Sequence, residues 1–578
     1  MDTQEFRDAA KASVDHIADY YENITDHSVV SQVEPGYLRK LLPRSAPEDG
    51  EAWEAIRSDI DSKIVPGLSH WQSPNFMAFF PCPSSYPSIL GELYSAAFTG
   101  ACFNWICSPA ATELETIVLD WLAQLLGLPA TYLSSGPTRG GGVIHGSASE
   151  SVMTMMVAAR DKYLRETLPA VGGGEGDAPD EEALEDLTMR KRARMVALGS
   201  AACHSSTKKA ASILGVRYAA VPVSSATGYA MTGPALAETL AMCRARGWEP
   251  FFLTATLGTT DTCAVDDFEG IADALDEHAR GFAAADDDNS NDEVPARKKG
   301  EVWVHVDAAY AGAALVTPEA QRAAGGGVRH LRRFHSLNTN MHKWLLTNFD
   351  ASCSFVASRG WLEASALGGA ELPVYRNAYS DGGLVTDYRN WQVPLGRRFR
   401  SLKVWFVLRS YGGRGLREYI RRGVRQGELF AGLVAARPDL FEVLAGPAFA
   451  LTVFRMAAPT RGGAQAEEEG GEEEQRNALT RRLYDEVNRT GKIWVTGTVL
   501  EGRFAIRVMT GNRLTEEEHV RAAFGLFQAT AERIPIAPGQ QPISLAAMPR
   551  VVFVPVNIFI PINTTVVILM IPSVPASG

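Results

Sequence analysis

Residues 302–307, Val302-Trp303-Val304-His305-Val306-Asp307, form the stretch on which the fold turns. The run is apolar nearly throughout and shows no simple in–out alternation, so it reads as a strand covered on both faces, as in a parallel sheet between helices. Working outward, the same kind of run recurs at Met195 to Leu198, Pro250 to Ala255 and Ser354 to Ala357. Helical patterns lie between these runs. His204 to Leu214 closes at Gly215, Pro234 to Arg246 at Gly247 and Asp267 to Arg280 at Gly281, each glycine suited to a left-handed C-terminal cap. Strands alternating with helices predict an α/β fold with a mainly parallel sheet. Asp307 closes its strand, and ligands of open α/β sheets bind beyond the carboxyl ends of strands.

The 578-residue chain allows several domains and a core able to bury a cofactor. Four segments are expected: an N-terminal helical segment over 1–85, a large cofactor-binding domain over 86–400, a smaller α+β C-terminal domain over 401–538, and an atypical apolar tail over 539–578. Three stretches, Val171 to Asp186, Ala283 to Lys299 and Arg461 to Arg476, cannot bury apolar surface and are read as solvated loop insertions. Hydrophobic residues at 46% and charged residues at 21% suit a globular chain, and the net charge of −11 with no basic stripe argues against nucleic acid. The seven cysteines (Cys82, Cys102, Cys107, Cys203, Cys243, Cys263, Cys353) contain no CxxC pair and fit free thiols of a cytoplasmic protein. No metal site is expected. Residues 551–574 carry no charge, but Pro555, Pro561 and Pro572 favour two short strands around Ile562 to Thr565 over a membrane anchor.

Three motifs carry chemistry. A buried carboxylate such as Asp307 needs a cation, and a protonated pyridine nitrogen is one; the plain alternative is a turn cap. Lys343, in Asn340-Met341-His342-Lys343-Trp344, has apolar and aromatic neighbours that would lower its pKa and free its amine for an aldehyde; the alternative is a surface lysine. Arg139 to Ser149 (RGGGVIHGSAS) precedes a helical run from Glu150 to Tyr163 and reads as a phosphate cradle, with Ser147, Ser149 and the helix amides as donors. His204, at a helix start after a strand, could stack on a flat ring or simply cap the helix.

Seven blocks, WQSPNFMAFFPCPSSYPSILGE, SPAATELETIVLDWL, GGGVIHGSASE, ATLGTTDTC, WVHVDAAYAG, NMHKWLLTNFD and GLVTDYRNWQVPLGRRFRSLKVWFVLRSYG, stand in an order and spacing that resemble the aromatic-L-amino-acid decarboxylases, the group II pyridoxal-phosphate decarboxylases, over roughly residues 1 to 535. The resemblance implies fold type I, the aspartate-aminotransferase-like fold, and pyridoxal 5'-phosphate as cofactor. It implies that Lys343 carries the cofactor as a Schiff base, Asp307 pairs with the pyridine nitrogen and His204 stacks on the ring. Ala148, Ser149 and Asn340 match phosphate-binding positions, Thr260 and Ala309 match further cofactor contacts, and His342 precedes the lysine.

Trp71, Phe79, Phe80, Pro81, Cys82, Ala101 and Phe103 match the substrate pocket, Ala101 and Phe103 reaching across the interface of an obligate homodimer with shared active sites. Tyr375 matches the loop tyrosine that protonates the product, with Tyr379 as the alternative. Gly396 matches a position where glycine leaves room for indoles. The resemblance therefore implies decarboxylation of aromatic L-amino acids, tryptophan or hydroxytryptophan ahead of DOPA and tyrosine, to the amine and carbon dioxide. Its rivals are an aromatic aldehyde synthase and a catalytically silent binding protein on the same fold.

Overall fold

The apolar runs assemble into a seven-stranded sheet in a computed structural model that describes residues 1–169, 180–280, 300–368, 378–381, 384–458 and 469–534. Its strands are β1 (Gly141–His145), β2 (Met195–Ser200), β3 (Arg217–Val221), β4 (Glu249–Thr256), β5 (Trp303–Asp307), β6 (Ser336–Asn340) and β7 (Ser352–Val356), in spatial order β1-β7-β6-β5-β4-β2-β3. Every residue of β1, β2, β5, β6 and β7 is buried, as unbroken apolar or small-residue runs demand. The five strands β3, β2, β4, β5 and β6 run parallel, while β7 pairs antiparallel with both β6 and β1.

The crossovers follow the capping signals closely. Helices Ser206–Ile213 and Gly233–Ala245 each give way to a glycine, Gly215 and Gly247, at φ +66°. A side chain at that φ would clash with the following carbonyl, so the glycine ends the helix cheaply. Gly281, expected to close the next helix (Phe268–Arg280), lies outside the described residues.

A second sheet of four antiparallel strands, β8 (Phe441–Ala448), β9 (Leu451–Met456), β10 (Thr496–Leu500) and β11 (Arg503–Met509), is ordered β10-β11-β9-β8. Helix Glu517–Ala531, foreseen from Thr515 to Arg533, buries Val520, Phe524 and Phe527 beside it. Residues Met1–Ile534 form one compact unit. Helix Arg400–Ala435 packs against helices Tyr86–Ala97 and Pro109–Leu125 and against β8.

Two of the expected loop insertions are partly helical. Residues 181–186 belong to helix Glu181–Arg192, which Asp180 caps by accepting from the Ala183 amide at 2.8 Å, and residues 469–476 open helix Glu469–Arg489. The composition did exclude residues 181–186 from the core, since no residue of the helix is buried. Solvation does not forbid a helix: Glu, Lys and Arg are good helix formers, here acidic in the first turn and basic in the last. The remainder of these stretches, all of Ala283 to Lys299 and the tail lie outside the described residues. Among the described residues no helix is long and apolar enough to cross a membrane.

Candidate active site

The carboxyl ends of β4, β5 and β6 open onto a cavity of about 190 Å³ that collects eleven of the predicted residues: Phe80, Ser147, Ala148, Ser149, His204, Thr260, Asp307, Ala309, Asn340, His342 and Lys343. The chain delivers them from separate elements. Asp307 ends β5, and its Oδ1 accepts from the Ala309 amide at 3.1 Å. Asn340 ends β6 and opens the four-residue helix Met341–Trp344 that bears His342 and Lys343. Asn340 is itself fixed, its Oδ1 accepting from the Ser352 hydroxyl at 2.7 Å.

Lys343 faces the cavity with its ammonium 5.5 Å from the centre of the Phe80 ring. Burial lowers its pKa, opposed by the charge of Asp307. The burial serves a lysine that must shed a proton to act as a nucleophile, while Asp307 pulls the other way. His342 lines the cavity with its Nδ1 engaged: that atom accepts from the Ala351 amide at 2.8 Å, and burial followed by the Lys343 charge pushes its pKa down to about 3. It is a neutral support for the lysine helix. Trp344 holds the other side, its indole donating to the Gly511 carbonyl at 3.0 Å and stacking on Tyr310 at 4.8 Å, which stacks in turn on Phe80 at 4.0 Å.

His204 stands just before helix Ser206–Ile213, and its Nδ1 accepts from the Ser206 amide at 3.2 Å. The neutral ring therefore carries its proton on Nε2. It stays open to solvent through the cavity mouth, while burial by the surrounding protein lowers its pKa against the opposing pull of Asp307. Ala148 and Ser149 form the first turn of the 20-residue helix Ala148–Thr167, capped by Ser147, which accepts from the Glu150 amide at 3.2 Å. Free first-turn amides and the helix dipole make this end an anion site.

The sequence did not reveal Arg507 of β11 as a site residue. It is buried, donates to the carbonyls of Thr260 at 2.6 Å and Asp261 at 3.1 Å and to Thr496 Oγ1 at 3.0 Å, and lies over Phe80 at 5.5 Å. It props the Thr260 loop against the cavity from more than two hundred residues away, a distance no local pattern reports. Thr256, Gly258, Tyr310 and Phe349 also line the cavity. Asp266 braces β4 from behind, accepting from the Met231 and Thr256 amides, both at 2.7 Å; burial pushes its pKa up to about 7.

Of the predicted substrate-pocket residues, Phe80 alone lines this cavity. Trp71 and Phe79 stack at 5.6 Å and are each more than a third exposed, and Phe79 also meets Trp494 edge-on at 5.3 Å. Pro81 is buried and Cys82 half-buried. Ala101 and Phe103 are tied to the segment that bears Gly396, their carbonyls accepting from the Arg397 amide at 2.7 Å and the Arg389 amide at 2.9 Å. Ala101 and Gly396 are exposed, and a side chain at Gly396 would meet nothing within 4 Å. Tyr379 is exposed, with its ring 4.7 Å from Trp105. Tyr375 lies outside the described residues.

These donors fit pyridoxal phosphate. An anion site at a helix N-terminus, an aldehyde-reactive lysine, a carboxylate for the ring nitrogen and an imidazole open to the cavity match its functional parts. The buried Thr256 Oγ1 and Asn338 Nδ2, which flank Asp307 in the sheet, have no hydrogen-bond partner among the described residues, a polarity that suits a ligand-bearing wall. The sheet and this cavity define a pyridoxal-phosphate enzyme of fold type I.

The pyridoxal-dependent decarboxylase conserved domain matches residues 35–457. The chain is 40% identical over 535 residues to tyrosine decarboxylase 2 of Narcissus pseudonarcissus, covering 92% of this chain and 95% of the relative. It is also 40% identical over 534 residues to a phenylacetaldehyde synthase of Arabidopsis thaliana, covering 92% and 96%. The crystal structure of Oryza sativa TDC with PLP and tryptamine superposes with a TM-score of 0.79 at 35% identity, over 92% of this chain and 98% of that one. The chain belongs to the pyridoxal-dependent decarboxylase family, in its aromatic-amino-acid branch, and its cofactor is pyridoxal phosphate.

Proposed function

We propose that this protein removes the α-carboxylate of aromatic L-amino acids as carbon dioxide and releases the amine, with tryptophan or hydroxytryptophan preferred and DOPA and tyrosine accepted. The observation that carries the reading is the pairing of a lysine of lowered pKa with a buried carboxylate in one aromatic-walled cavity. When bound, pyridoxal phosphate supplies the electron sink for the pair left on Cα as carbon dioxide departs. Lys343 would hold the cofactor through its side-chain amine. Asp307 would hold the ring-nitrogen proton, the end of helix Ala148–Thr167 with Ser149 would hold the phosphate, and His204 would pack against the ring.

Tyr375 delivers the proton to Cα. The indole preference rests on Gly396, whose lack of a side chain leaves open space, and on the tryptamine named for the rice structure. The protein acts as a cytoplasmic homodimer in which Ala101 and Phe103 complete the partner's pocket. Exposed Leu90, Leu93 and Tyr94 on helix Tyr86–Ala97, with Phe98 just after it, support that pairing, since an apolar face of this kind is unusual on a monomer.

Mass spectrometry of products from tryptophan, DOPA, tyrosine, phenylalanine and histidine tests the reading. Amine with carbon dioxide from tryptophan is expected. Aldehyde, ammonia and peroxide would establish the synthase reading in place of the decarboxylase one; the chain is equally similar to members of both kinds. Tyr375→Phe is expected to shift products from amine toward aldehyde; unchanged amine output would move the proton-donor role to Tyr379.

A further inference from the structure

Behind Asp307 a hydrogen-bonded chain crosses the interior with its direction fixed. Trp303, His305 and Asp307 alternate onto one face of β5, and on β6 Ser336 and Asn338 stand in register beside His305 and Asp307. Trp303 Nε1 lies 2.8 Å from Ser336 Oγ, Ser336 Oγ 2.8 Å from His305 Nδ1, and His305 Nε2 2.8 Å from Asn338 Oδ1. An indole N–H can only donate. Ser336 therefore accepts from Trp303 and, with no other acceptor for its hydroxyl among the described residues, gives its one proton to His305 Nδ1. That leaves the His305 proton on Nε2, donated to the Asn338 carbonyl oxygen. His305 has no second proton to complicate this, because burial pushes its pKa down to about 4.

The amide of Asn338 is thereby held with its NH₂ as the free end. That nitrogen is buried and without a partner among the described residues, on the strand neighbour of Asp307. We propose that Trp303, Ser336, His305 and Asn338 are positioning residues, a one-way relay that turns the positive end of the Asn338 amide toward Asp307 and so steadies the carboxylate's charge opposite the cofactor ring. This rests on the reading of Asp307 given above. A neutral dipole suits this role, because a second cation here would pair with Asp307 in place of the ring nitrogen, whereas an amide stabilises the charge and leaves it available. The other titratable groups that act on or sit near Asp307, namely Lys343, His204 and Cys203, are untouched by changes within the relay.

The test measures the dissociation constant for pyridoxal phosphate by fluorescence quenching and the pH midpoint of the bound cofactor's visible absorption band, in full-length protein with circular dichroism as a fold control. Asn338→Leu is expected to weaken cofactor binding about tenfold and move the pH midpoint, because it removes the amide dipole from beside a charged group. Ser336→Ala, which frees His305 to present its other tautomer, is expected to weaken binding about threefold, with Ser336→Thr restoring it. Wild-type affinity and band in folded Asn338→Leu, while Asp307→Ala loses both, would overturn the relay alone. If Asn338→Leu does not fold, wild-type behaviour of Ser336→Ala has the same force. Wild-type affinity and band in Asp307→Ala would overturn the relay together with the role of Asp307.

Discussion

The cavity around Lys343 and the aromatic ledge of Trp71 and Phe79 come from stretches that the sequence marks with equal clarity, yet one chain finishes them to different degrees. Around Lys343 the groups are enclosed and braced: Asp307 is 5% exposed, His342 3% and Asn340 2%, each with a hydrogen bond to a fixed neighbour. The ledge, by contrast, leaves Trp71 36% and Phe79 38% exposed, and Ala101 and Gly396 open on the surface. Cofactor handling needs charges held still in low dielectric, which a sheet edge and helix ends provide within one fold. Substrate selection needs apolar walls, and the residues proposed for them are left facing outward.

The largest effect that would break this contrast is at its enclosed end. Lys343→Ala is expected to abolish the visible band of covalently held cofactor and to lower turnover by at least about 10³-fold, read by absorption and steady-state kinetics. The strip that bears Gly396 is anchored by a buried pair, with Arg397 Nη2 2.5 Å from Glu115 Oε1, which also accepts from the Ile144 amide at 2.8 Å. Arg397→Ala leaves that carboxylate unpaired and is expected to cost about 3–5 kcal/mol in denaturant unfolding.

Acid should act mainly at the enclosed end as well. His342 and His305 have folded-state pKa values pushed down to about 3 and about 4, below the usual histidine value near 6.5. The unfolded chain binds the extra protons first, so stability is full above about pH 6.5 and falls as pH drops toward 4, by about 1.4 kcal/mol per pH unit for each histidine. His342→Gln is expected to flatten part of that slope in thermal melts taken from pH 7 to 4. At the open end Trp71→Ala should have the smallest effect, shifting the melting temperature by only a few degrees while raising KM several-fold; a loss of cofactor affinity in its place would erase the distinction between the two regions.

The contrast also explains what could be read in advance. Asp307, Lys343, Ser149 and His204 sit where strands end and helices begin, so periodicity and capping residues locate them within a few positions. Local patterns do not report partners across the chain. Arg507 reaches the Thr260 loop, Glu115 meets Arg397, and Asn338 lies beside Asp307 only because β5 and β6 pair in one register. Helix Glu181–Arg192 escaped for another reason: its charged residues carry no apolar stripe, and its stability comes from caps and charge placement at its two ends.

Trp344 leans on the Gly511 carbonyl and the Thr260 loop leans on Arg507, while the conserved family domain stops at residue 457. A chain trimmed at that limit would retain Lys343, Asp307, Ser149 and His204 and still lose two of the props that hold them in place. The catalytic vocabulary belongs to the shared domain, but its grammar is supplied by residues downstream of it, so the borders drawn by likeness and the borders of a working unit do not coincide.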